Sequence, residues 1–160
     1  MQILVVSDTH DESDVLRNLL EEYAAAVQLV IHLGDHDRDL LRFASITDLP
    51  LLTVAGNTDD ESRSPRQRVC VFHERRLFIT HGNVQNVAAG TEGIAREALE
   101  HEAHICLYGH THKAVTFTQH GIFFMNPGSL TEPRDNGTPS YGVLTICEET
   151  GKIKGEIVRL

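Results

Sequence analysis

Seven side chains that commonly bind metal ions stand directly after apolar segments of this 160-residue sequence. They supply carboxylate oxygens, one amide oxygen and imidazole nitrogens. This mixture suits manganese, iron, zinc, nickel or cobalt better than calcium or magnesium, which favour oxygen-only shells. The seven residues are Asp8, His10, Asp35, Asn57, His81, His110 and His112.

Seven ligands are too many for one ordinary metal site, but they fit two ions if one carboxylate bridges them. Asp35 is the natural bridge, because a carboxylate can bind two ions through its two oxygens. Two divalent ions would outweigh the charges of Asp8, Asp35 and a bridging hydroxide, and would attract an anionic phosphate ester. Such ions also lower the pKa of a shared water and stabilise displacement at phosphorus. We therefore expect a phosphoesterase, most of all a phosphodiesterase, in which Asp35, Asn57 and His110 take part in catalysis.

Taken singly, these residues have ordinary interpretations. Asp8 can cap a helix, His10 and Asn57 can lie in turns, and His81 can be a surface histidine. Two histidines one residue apart at a strand end, as in the run 109–112, are rarely structural, so the metal interpretation depends on the whole set. The remaining histidines do not share this setting and are interpreted as structural or surface residues, with His36 nearest the expected site: His32, His36, His73, His101, His104 and His120.

The elements that must position these side chains alternate between strands and helices over the first two thirds of the chain. Apolar runs predict strands at 2–6, 28–33, 50–55, 76–80 and 104–108. Helical spacing predicts helices near 15–23, 38–46 and 91–102. Further strands are expected at 69–72, 114–119, 121–125, 141–147 and 152–158. Because ligands of open α/β sheets gather at the carboxyl ends of strands, the seven residues are expected at one edge of a layered α/β domain spanning 1–160.

Composition limits the class of protein. A formal net charge of −9 disfavours a broad grip on nucleic acid, which needs a basic surface. No apolar run approaches the roughly 18–20 residues that cross a bilayer, so no membrane partner is expected. The three cysteines, Cys70, Cys106 and Cys147, are odd in number and far apart, which favours reduced thiols and a cytoplasmic location.

The order DxH, GD, GN, a lone histidine and GHxH resembles the signature of the calcineurin-like metallophosphoesterase superfamily. The run 126–129 (NPGS), Pro133-Arg134 and Ser140-Tyr141 is similar to its small bacterial and archaeal phosphodiesterase branch. The resemblance implies a four-layer α/β/β/α sandwich with two mixed sheets flanked by helices. It also implies a homodimer or homotetramer and a small phosphodiester substrate.

The resemblance further divides the ligands between two ions. It assigns the first ion to Asp8, His10, Asp35 and His112. It assigns the second ion to Asp35, Asn57, His81 and His110. We expect two divalent cations, with Mn²⁺ first and Ni²⁺, Fe²⁺, Zn²⁺ or Co²⁺ as alternatives.

Two positions depart from the superfamily pattern. Many members have a histidine where Thr58 stands, and that histidine helps to protonate the leaving group. Because a threonine hydroxyl is a poor acid at neutral pH, we expect activated diesters to react better than alkyl monoesters. The branch often has HGH where this chain has His81-Gly82-Asn83, and Asn83 cannot replace the proton chemistry of a histidine.

Several polar residues near the expected ligands have two open interpretations. Asp37 and Asp59 either orient ligands from behind or lie in solvated loops. The run from Asn126 to Ser129 either cradles phosphate or, as we favour, turns the chain near the site. Arg134 either pairs with a phosphate or is an ordinary surface arginine.

The main rival interpretation is a scaffold of the same fold, similar to the small subunit of the retromer coat. A scaffold has no need to retain His10, whereas this chain retains every ligand position. A flavodoxin-like nucleotide-binding domain would need a phosphate loop after the first strand, which Asp8-Thr9-His10 is not. A single-zinc hydrolase would use about three protein ligands and leave several of the seven unexplained.

Overall fold

Two mixed β-sheets of five strands each lie at the centre of the fold, within the part of the chain that the structure describes. The computed structural model describes residues 1–11 and 13–160. The strands are β1 (Gln2–Val6), β2 (Leu29–His32), β3 (Leu51–Thr53), β4 (Gln67–Phe72), β5 (Arg75–Thr80), β6 (Ile105–Leu107), β7 (Val115–Gln119), β8 (Ile122–Asn126), β9 (Ser140–Ile146) and β10 (Ile153–Arg159). The helices are α1 (Ser13–Tyr23), α2 (Arg38–Leu41) and α3 (Glu92–Glu100).

The first sheet has the order β10-β9-β1-β2-β3, and the second has the order β4-β5-β6-β8-β7. Strands β1, β2 and β3 pair in parallel, and so do β5, β6 and β8. The remaining neighbours pair antiparallel. Each sheet therefore has three neighbouring parallel strands that send their carboxyl ends to one edge. Antiparallel pairs lie at one border of the first sheet and at both borders of the second.

Three apolar clusters separate four layers. The central cluster joins the facing sides of the two sheets through residues such as Ile3, Ile31, Leu77 and Leu107. A second cluster packs α1 and α2 on the outer side of the first sheet. A third cluster packs α3 on the outer side of the second sheet. The result is the expected α/β/β/α sandwich.

The predicted elements are confirmed to within a few residues, with one clear difference. The expected helix at 38–46 is regular only as α2, from Arg38 to Leu41. Beyond it, the amides of Phe43, Ala44 and Ile46 donate to carbonyls three residues earlier, which tightens the chain into successive turns. The β-branched Ile46 and Thr47 weaken helix propensity there.

No helix in the described segments is long and apolar enough to cross a membrane.

Candidate metal centre

The loops that carry the seven predicted ligands all lie at the carboxyl ends of parallel strands. Three loops follow β1, β2 and β3 of the first sheet, and two follow β5 and β6 of the second sheet. Because the two sheets pack face to face, both sets of loops meet at the same end of the sandwich. The structure thus brings together residues that are up to about a hundred positions apart in sequence.

A first group of possible ligand atoms comes from Asp8, His10, Asp35 and His112, all within 4.8 Å of one another. Asp8 and His112 form the tightest contact, with 3.1 Å between Asp8 Oδ1 and His112 Nε2. Asp8, Asp35 and His112 are buried, whereas His10 is partly exposed. Two ligand atoms at about 2.1 Å from one ion and at right angles lie roughly 3 Å apart, so this spacing suits a shared cation.

A second group comprises Asp35, His81 and His110, again within 4.8 Å of one another. His81 Nε2 lies 3.4 Å from Asp35 Oδ1 and 3.1 Å from the side-chain oxygen of Asn57. His81 is fully buried, and Asn57 is exposed at the rim. The carboxylate of Asp35 belongs to both groups and links them.

The main chain orients two of the histidine rings. His81 Nδ1 donates to the carbonyl of Leu33 at 2.8 Å, and His112 Nδ1 donates to the carbonyl of Glu132 at 2.7 Å. In the neutral ring each Nε2 then carries a lone pair, and this lone pair faces carboxylate or amide oxygens. Acceptors that face one another without a donor between them fit a cation bound among them.

Two buried atoms of the first group lack a hydrogen-bond partner among the described residues, namely Asp8 Oδ1 and His10 Nε2. Buried polar atoms are nearly always paired in folded proteins, because an unpaired one costs about 1–3 kcal/mol. Both atoms are of the types that bind divalent metals. The donor set therefore fits divalent metal ions.

The neighbouring carboxylates raise the pKa of two of these histidines. Burial lowers the pKa of His81, but Asp35 and Asp8 raise it more, and the net shift is upward. The pKa of His112 is likewise raised, because Asp8 outweighs burial. Burial and the neighbouring His81 lower the pKa of His110. Because a histidine binds metal only as the neutral ring, metal binding at His81 and His112 competes with protons.

Five of the seven residues adopt left-handed backbone conformations. Their φ angles are 54° at Asp8, 43° at His10, 56° at Asp35, 69° at His110 and 56° at His112. This region costs L-residues roughly 1 kcal/mol or more, and such residues concentrate at functional sites.

Asp37 and Asp59 are buried beneath the ligand loops, and the exposed Thr58 contacts Asp35 through its main chain. Asp59 is buried and accepts from the amides of His36 and Gly56, both at 2.8 Å. Asp37 is buried and accepts from the hydroxyls of Ser62 and Ser64. The exposed Thr58 donates its amide to Asp35 Oδ1 at 3.0 Å, and Asn83, two residues after His81, is half-buried.

The run 126–129 turns the chain behind the first ligand loop. Asn126 is buried and donates to the carbonyl of Gly109 at 2.8 Å, and its own oxygen accepts from Gly128. Ser129 Oγ donates to the carbonyl of Asp8 at 2.8 Å. These bonds use the polar groups of Asn126 and Ser129 within the protein. Arg134 is exposed, and its amide donates to the carbonyl of His112 at 2.9 Å.

A buried hydrogen-bond chain behind Asp8 and Asp35 was missed by the sequence reasoning. Gly34 donates its amide to His32 Nδ1 at 3.1 Å, so the ring carries its proton on Nε2. His32 Nε2 donates to the hydroxyl of Thr9 at 3.0 Å, and Thr9 donates to Asp39 at 2.6 Å. Only their positions in the sequence pointed to these two residues: Thr9 stands between Asp8 and His10, and His32 ends the strand that precedes Asp35.

A third acidic and imidazole group, Asp11, His36 and Asp39, lies beside the first group. The ring centroids of His10 and His36 are 5.1 Å apart. Arg42 already supplies a cation to this group, at 3.5 Å from Asp11 and 3.2 Å from Asp39. The group therefore has a charge partner of its own.

Comparison with known proteins fits this geometry. The sequence pattern of the calcineurin-like phosphoesterase superfamily domain matches residues 1–149. The chain belongs to this superfamily. It is 28% identical over 172 aligned positions to the phosphodiesterase YfcE of Escherichia coli, with 90% of this chain and 87% of that protein covered.

Solved structures confirm the fold class. A predicted phosphoesterase from Streptococcus pneumoniae superposes with a TM-score of 0.79 at 27% identity, covering 98% of this chain and 97% of that one. A variant of Vps29 from Entamoeba histolytica superposes with a TM-score of 0.78 at 23% identity, covering 100% and 99%. At that identity the likeness to Vps29 concerns the fold alone.

Proposed function

We propose that the chain hydrolyses small phosphodiesters with two divalent cations, of which Mn²⁺ is the expected ion. One observation carries the proposal: the carboxylate of Asp35 belongs to both groups of possible ligand atoms. A carboxylate shared between two such groups is the arrangement that a pair of neighbouring ions needs. The phosphodiesterase named among the relatives supports the choice of diesters.

The first ion would be held by Asp8, His10, Asp35 and His112. The second would be held by Asp35, Asn57, His81 and His110. Two bound metal ions would lower the pKa of a bound water and neutralise negative charge on the phosphoryl oxygens. In the overall reaction the water oxygen bonds to phosphorus, one P–O ester bond breaks, and the departing alcohol takes a proton.

The residues of the chain would divide the remaining work. Asp35 fixes the spacing of the two groups, and the partly exposed His110 and the exposed Asn57 face the substrate side. Thr58 lies at the rim, where its side chain offers no good acid. Poor protonation of the leaving group favours esters whose leaving group needs no proton, such as nitrophenolates.

We also propose a compartment and a class of partner, from the cysteines and from the net charge. Cys70, Cys106 and Cys147 are free thiols, which supports a reducing compartment such as the cytoplasm. The net charge of −9 supports small substrates over a broad nucleic-acid surface.

The test is a substrate and metal panel. Bis(p-nitrophenyl) phosphate and p-nitrophenyl phosphate are assayed with Mn²⁺, Ni²⁺, Co²⁺, Fe²⁺ and Zn²⁺ in turn, and bound metal is measured by mass spectrometry. We expect hydrolysis of the diester to exceed that of the monoester, with two ions bound per chain. A scaffold would bind metal weakly and hydrolyse neither ester.

Asp35→Asn tests the bridge within the same assay. We expect kcat to fall by about a thousandfold, because the two metal ions stabilise the transition state electrostatically by several kcal/mol. Asp48→Asn makes the same charge change in an exposed loop and serves as the control. An unchanged kcat in Asp35→Asn with full metal content would contradict the proposed mechanism.

A further inference from the structure

A cleft of about 490 Å³ opens beside the candidate metal centre and shares His110 with it. Its size lies within the roughly 300–1,000 Å³ that is usual for small-molecule sites. Val87, Ala88, Tyr108 and Val115 give it an apolar lining. Because His110 borders both spaces, a ligand held at the centre can extend directly into the cleft.

Two cationic side chains, Lys113 and Arg134, line the same cleft. Each is tied to the candidate ligand loop through the main chain. Lys113 follows His112 directly and donates its amide to the hydroxyl of Thr111 at 3.3 Å. The amide of Arg134 donates to the carbonyl of His112 at 2.9 Å. The two positive charges are therefore built into the border of the site.

The carboxylates that flank Arg134 in sequence point elsewhere. Glu132 approaches His10, with 3.9 Å between Oε2 and Nε2. Asp135 pairs with Arg159 at 2.8 Å and accepts from the amide of Ala114. Among the described residues, no carboxylate lies within the 4.0 Å ion-pair distance of the charged group of Lys113 or Arg134. Within residues 1–11 and 13–160, the two cations of the cleft thus have no ion-pair partner, in a protein of net charge −9.

We propose that this cleft binds one ester arm of the substrate and selects an arm that carries a second anionic group on an apolar body. Lys113 and Arg134 are the specificity-determining residues, and the apolar lining receives the body of the arm. The inference rests on the proposed phosphodiesterase activity and narrows its substrate class. The chemistry is that of a small diester with one further carboxylate or phosphate, rather than a diester with two neutral arms.

Two matched diesters test the preference. Both have p-nitrophenolate as leaving group, and the other arm is p-carboxyphenyl in one and the neutral p-carbamoylphenyl in the other. We expect kcat/KM to be about fivefold higher for the carboxylate, since exposed ion pairs typically contribute up to about 1 kcal/mol each. The ratio of the two values is the readout, because metal loading and folding affect both substrates alike.

Substitutions locate the preference. Lys113→Gln and Arg134→Gln together should bring the ratio close to one, and Arg134→Lys should keep most of it. Arg96→Gln removes one positive charge from an exposed position on α3 and should leave the ratio at the wild-type value. A ratio that falls equally in Arg96→Gln would mean a general charge effect and overturn the inference.

Calorimetric titration with p-carboxyphenyl phosphate and p-carbamoylphenyl phosphate repeats the comparison without turnover. We expect tighter binding of the carboxylate by wild-type protein and no difference in the double variant. Equal binding, or hydrolysis of both diesters at equal rates by wild-type protein, overturns the inference alone. Hydrolysis of neither diester overturns the proposed function instead.

Discussion

Main-chain carbonyls decide which nitrogen of the central histidines is free. Leu33 holds Nδ1 of His81, and Glu132 holds Nδ1 of His112, so both rings present Nε2 to the centre. The residue types could be read from sequence, but the tautomers could not, since Leu33 and Glu132 have no signature beyond their neighbours. This second layer of contacts explains how two neutral rings stay aimed at buried carboxylates.

The left-handed backbone at Asp8, His10, Asp35, His110 and His112 was equally invisible in the sequence. Aspartate and histidine both adopt this conformation more often than most residues, but no sequence pattern marks the positions where they do so. The strain persists because the surrounding bonds determine the loops, for example those from Ser129 and Thr131 to the carbonyl of Asp8.

His32 gives a pH-dependent prediction at the scale of one residue. Burial lowers its pKa below 6.5, despite the nearby carboxylates. Below pH 6.5 the His32 side chain therefore binds a proton in the unfolded chain but not in the folded chain. The free energy of unfolding falls as the pH decreases, by at most about 1.4 kcal/mol per pH unit. His32→Asn should reduce this slope between pH 6.5 and 5, as measured by urea unfolding at each pH.

The exposed His120 is the matched control for that experiment. His120→Asn removes a histidine without removing a buried one, so its slope should equal that of the wild-type protein. If the free energy of unfolding had the same pH dependence in His32→Asn and in wild-type protein, His32 would not be the residue that causes this dependence.

At the scale of elements, Gly56 explains why the loop after β3 can approach the loop after β2. A Cβ at this position would collide with the carboxylate and amide of Asp35. We expect Gly56→Ala to displace Asp35 and to lower the affinity for Mn²⁺ at least about tenfold, since misplacing a ligand usually costs that much. Isothermal titration with Mn²⁺ measures the change.

Gly121→Ala separates this collision from ordinary backbone strain. Gly121 has a φ of 76° and open space around its Cβ position, so alanine should cost about 1 kcal/mol of stability. Its affinity for Mn²⁺ should stay at the wild-type value. Wild-type affinity in Gly56→Ala would show that the loops can separate without disturbing the centre.

The strands and helices were largely predictable because apolar runs and helical spacing record burial directly. The structure shows why glycine stands in the GN and GH pairs: a Cβ would meet Asp35 at Gly56, and Ser7 and Asp8 at Gly109. The early end of α2 was not predictable, because its apolar spacing continues to Phe43 and Ile46. The pairing of β8 with β6 also had to come from the structure, since sequence order places β7 next to β6.

For the whole molecule, the acidic centre links stability to metal. Ions that bind only the folded chain stabilise it, by about 2.7 kcal/mol per site at one hundred times the dissociation constant. For a domain of this size we expect Mn²⁺ to raise Tm by roughly 5–10 °C per site under those conditions. Differential scanning calorimetry with Mn²⁺ and with a chelator measures this difference.

Magnesium at the same concentration controls for general ionic effects, since it binds poorly to imidazole ligands. We expect a smaller shift with Mg²⁺. A Tm that is the same with Mn²⁺, with Mg²⁺ and with the chelator would contradict metal binding at this centre.

Strand β1 lies between β2 and β9, so one of its edges is filled by residues near the start of the chain and the other by residues 140–146. The carbonyl of Asp8, just beyond β1, likewise accepts hydrogen bonds from residues late in the sequence, Ser129 and Thr131. During synthesis β1 therefore stays half-paired until residues 140–146 have left the ribosome. Pairing between residues so far apart in sequence slows folding, so we expect any metal ion to bind only after β9 has paired with β1.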